Sequence, residues 1–95
     1  MRASANLMQV GDKIVPIRGT GLEILGILWR RRPGWVRWQT LLHLAWGRHA
    51  ATELDASSVR VSIFYLRRRL LRVDAPVAIL SRFGYGYSLV ERLTL

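Results

Sequence analysis

Between Ser57 and Leu70 the chain reads Ser-Ser-Val-Arg-Val-Ser-Ile-Phe-Tyr-Leu-Arg-Arg-Arg-Leu, with a further arginine at 72. Val59, Ile63, Leu66 and Leu70 follow the i, i+4, i+7, i+11 spacing of one helical face. Arg60, Arg67, Arg68, Arg69 and Arg72 fall off that seam and must point to its flanks or away from it. Guanidinium groups carry forked donors that match phosphate oxygens and the major-groove edge of guanine. A helix docked by a narrow apolar stripe and armed with cations elsewhere is built to read a DNA groove.

Other chemistries find little support. His43 and His49 lie six apart across a predicted helix end, a poor metal spacing, and are expected to be structural or surface histidines. Six scattered acidic residues offer no arguable carboxylate pair or Ser-His-Asp arrangement. With no cysteine there is no disulfide, no thiolate catalysis and no cysteine-ligated zinc. No enzyme activity, cofactor or metal is expected.

Charge points the same way as the helix. Fifteen basic residues stand against six acidic ones, a net charge of +9, and Lys13 is the only lysine. That excess favours a polyanionic partner, with nucleic acid ahead of a membrane surface. No apolar run approaches the roughly eighteen residues of a membrane span. Arg2 is followed by neither an apolar core nor a cleavage site, so a secretory signal is not expected. The expectation is a soluble cytoplasmic protein whose 95 residues form one domain.

The elements that must hold this helix can be read in order. Leu7–Val10 and Lys13–Ile17 around Gly11-Asp12 predict a hairpin over about 7–17, with Pro16 marking an edge. Thr20 is a candidate N-cap for a helix over about 20–32, with a wide apolar face at Leu22, Ile24, Leu25, Ile27, Leu28 and Trp29. After the Pro33-Gly34 break, a second helix is predicted over 38–46, burying Leu41, Leu42, Leu44, Ala45 and Trp46 and ended by Gly47. Residues 48–54 are predicted as a loop, with Asp55 or Ser57 capping a third helix over about 56–73. Val77–Leu80 and Tyr87–Val90 flank Gly84-Tyr85-Gly86, giving a second hairpin over about 77–90. The fold class is α+β: a β-hairpin, three helices and a C-terminal β-hairpin, a winged helix-turn-helix.

Four motifs in this order resemble the C-terminal effector domain of OmpR/PhoB-type response regulators. Pro33-Gly34-Trp35-Val36 is similar to that family's P-G-x-V. Leu41-Leu42-His43-Leu44-Ala45-Trp46-Gly47 resembles its L-L-x-x-V-W-G. The segment Val59 to Leu70 resembles its recognition helix, and Ile79 to Leu89 its wing. The resemblance covers roughly residues 10–90 and implies a transcriptional regulator that binds double-stranded DNA. Its recognition helix would enter the major groove and its wing would lie on the minor groove or backbone. The chain departs from the family pattern in several places. A stand-alone bacterial or phage regulator, without a receiver domain, is expected. The N-terminal sheet is cut to one hairpin, and Gly21 stands where glutamate is usual. In the recognition helix, Ser57, Arg60, Ser62, Phe64 and Tyr65 replace family residues, and Phe83 takes the wing's arginine position with Arg82 one step earlier.

Placed at about 100° per residue, the side opposite the seam carries Ser57, Val61, Phe64, Tyr65, Arg68 and Arg72. Arg60, Arg67 and Leu71 occupy one shoulder, and Ser58 and Arg69 the other. Candidate DNA-binding residues are Ser57, Ser58, Arg60, Val61, Ser62, Phe64, Tyr65, Arg67, Arg68, Arg72 and, in the wing, Arg82. By position, the resemblance puts base reading on Ser58, Val61, Ser62, Tyr65 and Arg67. Arg48, His49, Glu53 and Asp55 occupy the place of the family's polymerase-contacting loop. One small module rarely supplies enough specificity alone, so a homodimer or tandem pair on DNA is expected. The apolar content of the reading face also fits a second reading, a module that binds a host regulator or RNA polymerase through Phe64 and Tyr65.

Overall fold

The computed structural model describes residues 2–4, 6–48 and 52–92, in which two antiparallel sheets bracket three helices. The first sheet has strands β1 (Arg2–Ser4), β2 (Leu7–Val10) and β3 (Lys13–Pro16) in that spatial order. Alternation explains β2, which turns Met8 and Val10 inward and Gln9 outward. Gly11 takes the left-handed conformation at the turn, with φ of +61°. Pro16 lies on the edge strand, as its missing N–H requires. Strand β1 adds to the single hairpin expected; it pairs Ala3 with Met8.

Helix α1 (Gly19–Arg31) buries Ile24, Leu25, Ile27 and Leu28. Arg18, not Thr20, is its N-cap, and no side chain caps that end. At the other end the Arg32 guanidinium donates to the Trp29 carbonyl at 2.8 Å and lies 3.8 Å from the centre of its ring. A short strand, β4 (Trp35–Arg37), runs directly into α2 (Trp38–Trp46). Leu41 and Leu42 are buried and Ala45 and Trp46 partly so, but Leu44 faces out, against expectation. Gly47 ends α2 in the left-handed conformation, its N–H donating to the His43 carbonyl at 2.9 Å.

Helix α3 (Glu53–Arg72) begins earlier than the sequence suggested, so the expected loop shortens and neither Asp55 nor Ser57 is its N-cap. The cap is Thr52. Its hydroxyl oxygen accepts from the Asp55 N–H at 3.3 Å, while the Asp55 carboxylate accepts from the Thr52 N–H at 3.0 Å. This reciprocal pair is a capping box with aspartate in the third helical position. Val59, Ile63, Leu66 and Leu70 are all buried, as their spacing predicts.

The second sheet joins β4 to the hairpin of β5 (Val77–Arg82) and β6 (Gly86–Glu91) in the order β4-β6-β5. Strand β4 was not anticipated. It pairs Val36 with Tyr87 and Arg37 with Gly86. Gly86 therefore starts a strand and is not a turn residue: a Cβ there would collide with the Val36 carbonyl and approach the Arg37 Cα to 2.8 Å. The turn itself uses Gly84, with φ of +72°. One core joins both sheets to the helices, from Met8 and Val15 through Leu25, Leu41 and Leu66 to Ile79 and Leu89.

Candidate nucleic-acid interface

With its seam buried, α3 turns its opposite side to solvent. Val61 is 54% exposed, Phe64 53% and Tyr65 58%. The two rings meet edge to face, with centroids 5.4 Å apart and planes at 78°. Arg68 and Arg72 lie on the same side and are exposed, and the Arg68 guanidinium sits 5.6 Å from the centre of the Phe64 ring. Arg72 has no bonding partner among the described residues.

The remaining arginines of α3 are engaged by the protein. Arg60 donates to the Ser57 hydroxyl at 2.8 Å. Arg67 reaches across to the wing: Nε and Nη2 donate to the Ile79 carbonyl at 3.1 and 2.8 Å, and Nη2 donates to the Ser81 hydroxyl at 2.7 Å. It is half-buried and fastens helix to hairpin, whereas sequence position had made it a base reader. Arg69 donates to the Pro16 carbonyl at 2.9 Å and ties α3 to the edge of the first sheet.

The serines divide similarly. Ser57 is half-buried; Ser58 is exposed but donates its hydroxyl back to the Leu54 carbonyl at 3.2 Å. Ser62 is half-buried in a groove of about 430 Å3 between the start of α1 and α3, shared with Thr20 and Arg69. It stands away from the exposed side occupied by Val61 and Phe64. Of the polymerase-loop candidates, Arg48 and Glu53 are exposed and His49 lies outside the described residues. Asp55 is buried in the capping box and ion-paired to Arg48 at 3.0 Å, so its carboxylate is closed to a partner.

The wing joins Arg82, expected from the sequence to reach DNA, to Arg37 and Tyr85, which the sequence reading passed over. Arg82 packs its guanidinium 4.8 Å from the Trp35 ring centre and 5.6 Å from that of Tyr85. Arg37 approaches Tyr85 from its own strand, also at 5.6 Å. Phe83, at the tip, is fully exposed. Arg37 and Tyr85 were legible only once β4 was known to pair with β6. Between the wing and the first turns of α3 lies an open hollow of about 500 Å3, lined by Glu53, Arg60, Arg82, Phe83 and Tyr85 among others. Tyr87 forms part of its floor. Burial raises the pKa of its hydroxyl above the usual 10.0, and the nearby Arg60 and Arg67 pull it partly back.

Residues 11–89 match the family model described as "Transcriptional regulatory protein, C terminal". The chain belongs to this family. Sequence-specific DNA binding by a winged-helix regulator domain is the activity that membership carries, and the family is not an enzymatic one. Two solved structures show the same fold. One is the C-terminal domain of NsrR, the nisin resistance regulator and a lantibiotic response regulator. It is 22% identical, with a TM-score of 0.70 over 93% of this chain and 88% of that one. The other is the DNA-binding domain of the response regulator AdeR, in complex with an intercistronic region. It is 15% identical, with a TM-score of 0.70 over the whole of both chains. No curated protein matches. Among the described residues of this winged-helix domain, no helix is long and apolar enough to cross a membrane and no cluster of His, Asp or Glu is suited to a metal.

Proposed function

We propose that this transcriptional regulatory domain lays α3 in the major groove of duplex DNA and rests the β5–β6 hairpin on the adjacent minor groove or its backbone. The observation that carries this reading is the shared hollow, which places Arg60 of the helix and Arg82 of the wing on one surface. A sugar-phosphate strand passing between the two grooves fits such a surface, since Arg60 and Arg82 put a cation on each wall and outnumber the one carboxylate there, Glu53. Arg68 and Arg72 extend the cationic contact along α3, and Ser57 and Ser58 add polar contacts at its first turns. Val61, Phe64 and Tyr65 face the bases.

The protein would act in the cytoplasm of a bacterium, or there on behalf of a phage. It would pair with a second copy on adjacent half-sites, because a single module of this size supplies limited specificity. Arg48, exposed just past the end of α2 while ion-paired to Asp55, is the residue it would offer RNA polymerase; Glu53 lines the hollow assigned to DNA. Selection of bound duplexes from a randomised library tests the central claim. A recurring motif supports it, and undetectable duplex binding at low salt overturns it.

A second reading rests on the exposed aromatic pair. Phe64 and Tyr65 beside arginines have the composition of a protein-binding hot spot. If that face docks on a host regulator or the polymerase, Phe64→Ala abolishes a stable protein complex and the library yields no motif.

A further inference from the structure

The exposed side of α3 carries its apolar residues at the centre, and three of the helix's five arginines are bonded elsewhere. Arg60 is bonded to Ser57, Arg67 to the wing strand and Arg69 to the first sheet. Arg68 lies against the Phe64 ring. Only Arg72, in the last turn, has no partner among the described residues. Forking Arg60, Arg67 or Arg69 onto guanine would require its bonds to be broken, and each break subtracts from the gain, which leaves only Arg68 and Arg72, toward the C-terminal end of the helix, with unbonded donors. Packing a side chain on a methyl group breaks nothing.

We infer that α3 reads thymine C5-methyl groups through Val61, Phe64 and Tyr65, and that its arginines hold the backbone instead of naming bases. This rests on the major-groove reading above and specifies its chemistry. The thymine methyl is the one apolar group that a base pair presents in the major groove. Three side chains, each more than half exposed, gain only when their apolar surface is covered. The edge-to-face packing of Phe64 on Tyr65 fixes the two rings against each other, so they form a shaped surface. The flanking cations favour phosphates on either side of it, which selects duplex DNA as the occupant over a neutral apolar partner.

The experiment uses the tightest-binding duplex from the randomised library and the same duplex with every thymine replaced by deoxyuridine, which keeps all hydrogen-bonding groups and removes the methyls. Affinity is expected to fall about fourfold for each methyl packed against the protein. Phe64→Ala is expected to bind the two duplexes with a smaller ratio than the unsubstituted protein; circular dichroism verifies that it is folded. Equal affinity of the unsubstituted protein for the two duplexes, with ordinary binding intact, overturns methyl recognition and leaves the DNA-binding reading standing. An unchanged ratio in folded Phe64→Ala overturns the role of that ring. Absence of binding to either duplex overturns both readings.

Discussion

Arg67 on the recognition helix donates two hydrogen bonds to the carbonyl of Ile79 on the first wing strand, the shorter at 2.8 Å. A residue whose sequence position suggests base reading thus spends its donors setting the angle between helix and hairpin. Arg67→Ala should cost about 1–2 kcal/mol of stability, since charge-assisted bonds of a half-exposed group are lost. Affinity should fall for all duplex sequences alike, with the preferred motif unchanged. Denaturant unfolding and a repeat library selection check both halves; a changed motif at unchanged stability would contradict the structural role.

Arg72 is expected to behave in the opposite way. It makes no hydrogen bond, ion pair or ring contact with a described residue, so Arg72→Ala should leave stability within about 0.5 kcal/mol. If the domain neutralises about five phosphates, the logarithm of its binding constant falls against the logarithm of salt with a slope near −4.5. Removing Arg72 should bring that slope closer to zero by about 0.9. Titrations at several salt concentrations measure this directly.

Asp55 should matter for folding. Asp55→Ala removes the carboxylate from the capping box and from the ion pair with Arg48, at a cost of about 0.5–2 kcal/mol. The salt slope should stay where it is. Thermal unfolding beside a DNA titration distinguishes this outcome from a loss of contact with DNA.

Gly86→Ala tests the junction of β4 with the wing. The added methyl meets the backbone of Val36 and Arg37, which cannot move aside without giving up their pairing with β6. Destabilisation of about 1–3 kcal/mol is expected. Amide exchange at Trp38, whose N–H donates to the Tyr85 carbonyl at 3.0 Å, should rise with it.

What could be read from the residues alone depended on range. The buried seam of α3 was legible because twenty residues give a helical period room to repeat. Strands β1 and β4 span three residues each, too short for any alternation to register, and are held by pairing with distant partners. Arg2-Ala3-Ser4 and Trp35-Val36-Arg37 carry no sign of those partners. The start of α3 was in the text of the sequence, as Thr52 followed three residues later by Asp55, but the usual pattern has Glu or Gln there. The angular position of each arginine on the helix was predictable, whereas its bonding was not. Arg67 finds its acceptors on the first wing strand and Arg69 finds one on the first sheet, and none of these is coded near its donor.

That bonding has a thermodynamic consequence. A free arginine gives up about 2 kcal/mol of rotamer entropy when it is pinned at an interface. Arg60, Arg67 and Arg69 are already pinned before any DNA arrives. Folding has absorbed that loss for these three, and at association only Arg68 and Arg72 of the helix's cations still have it to surrender.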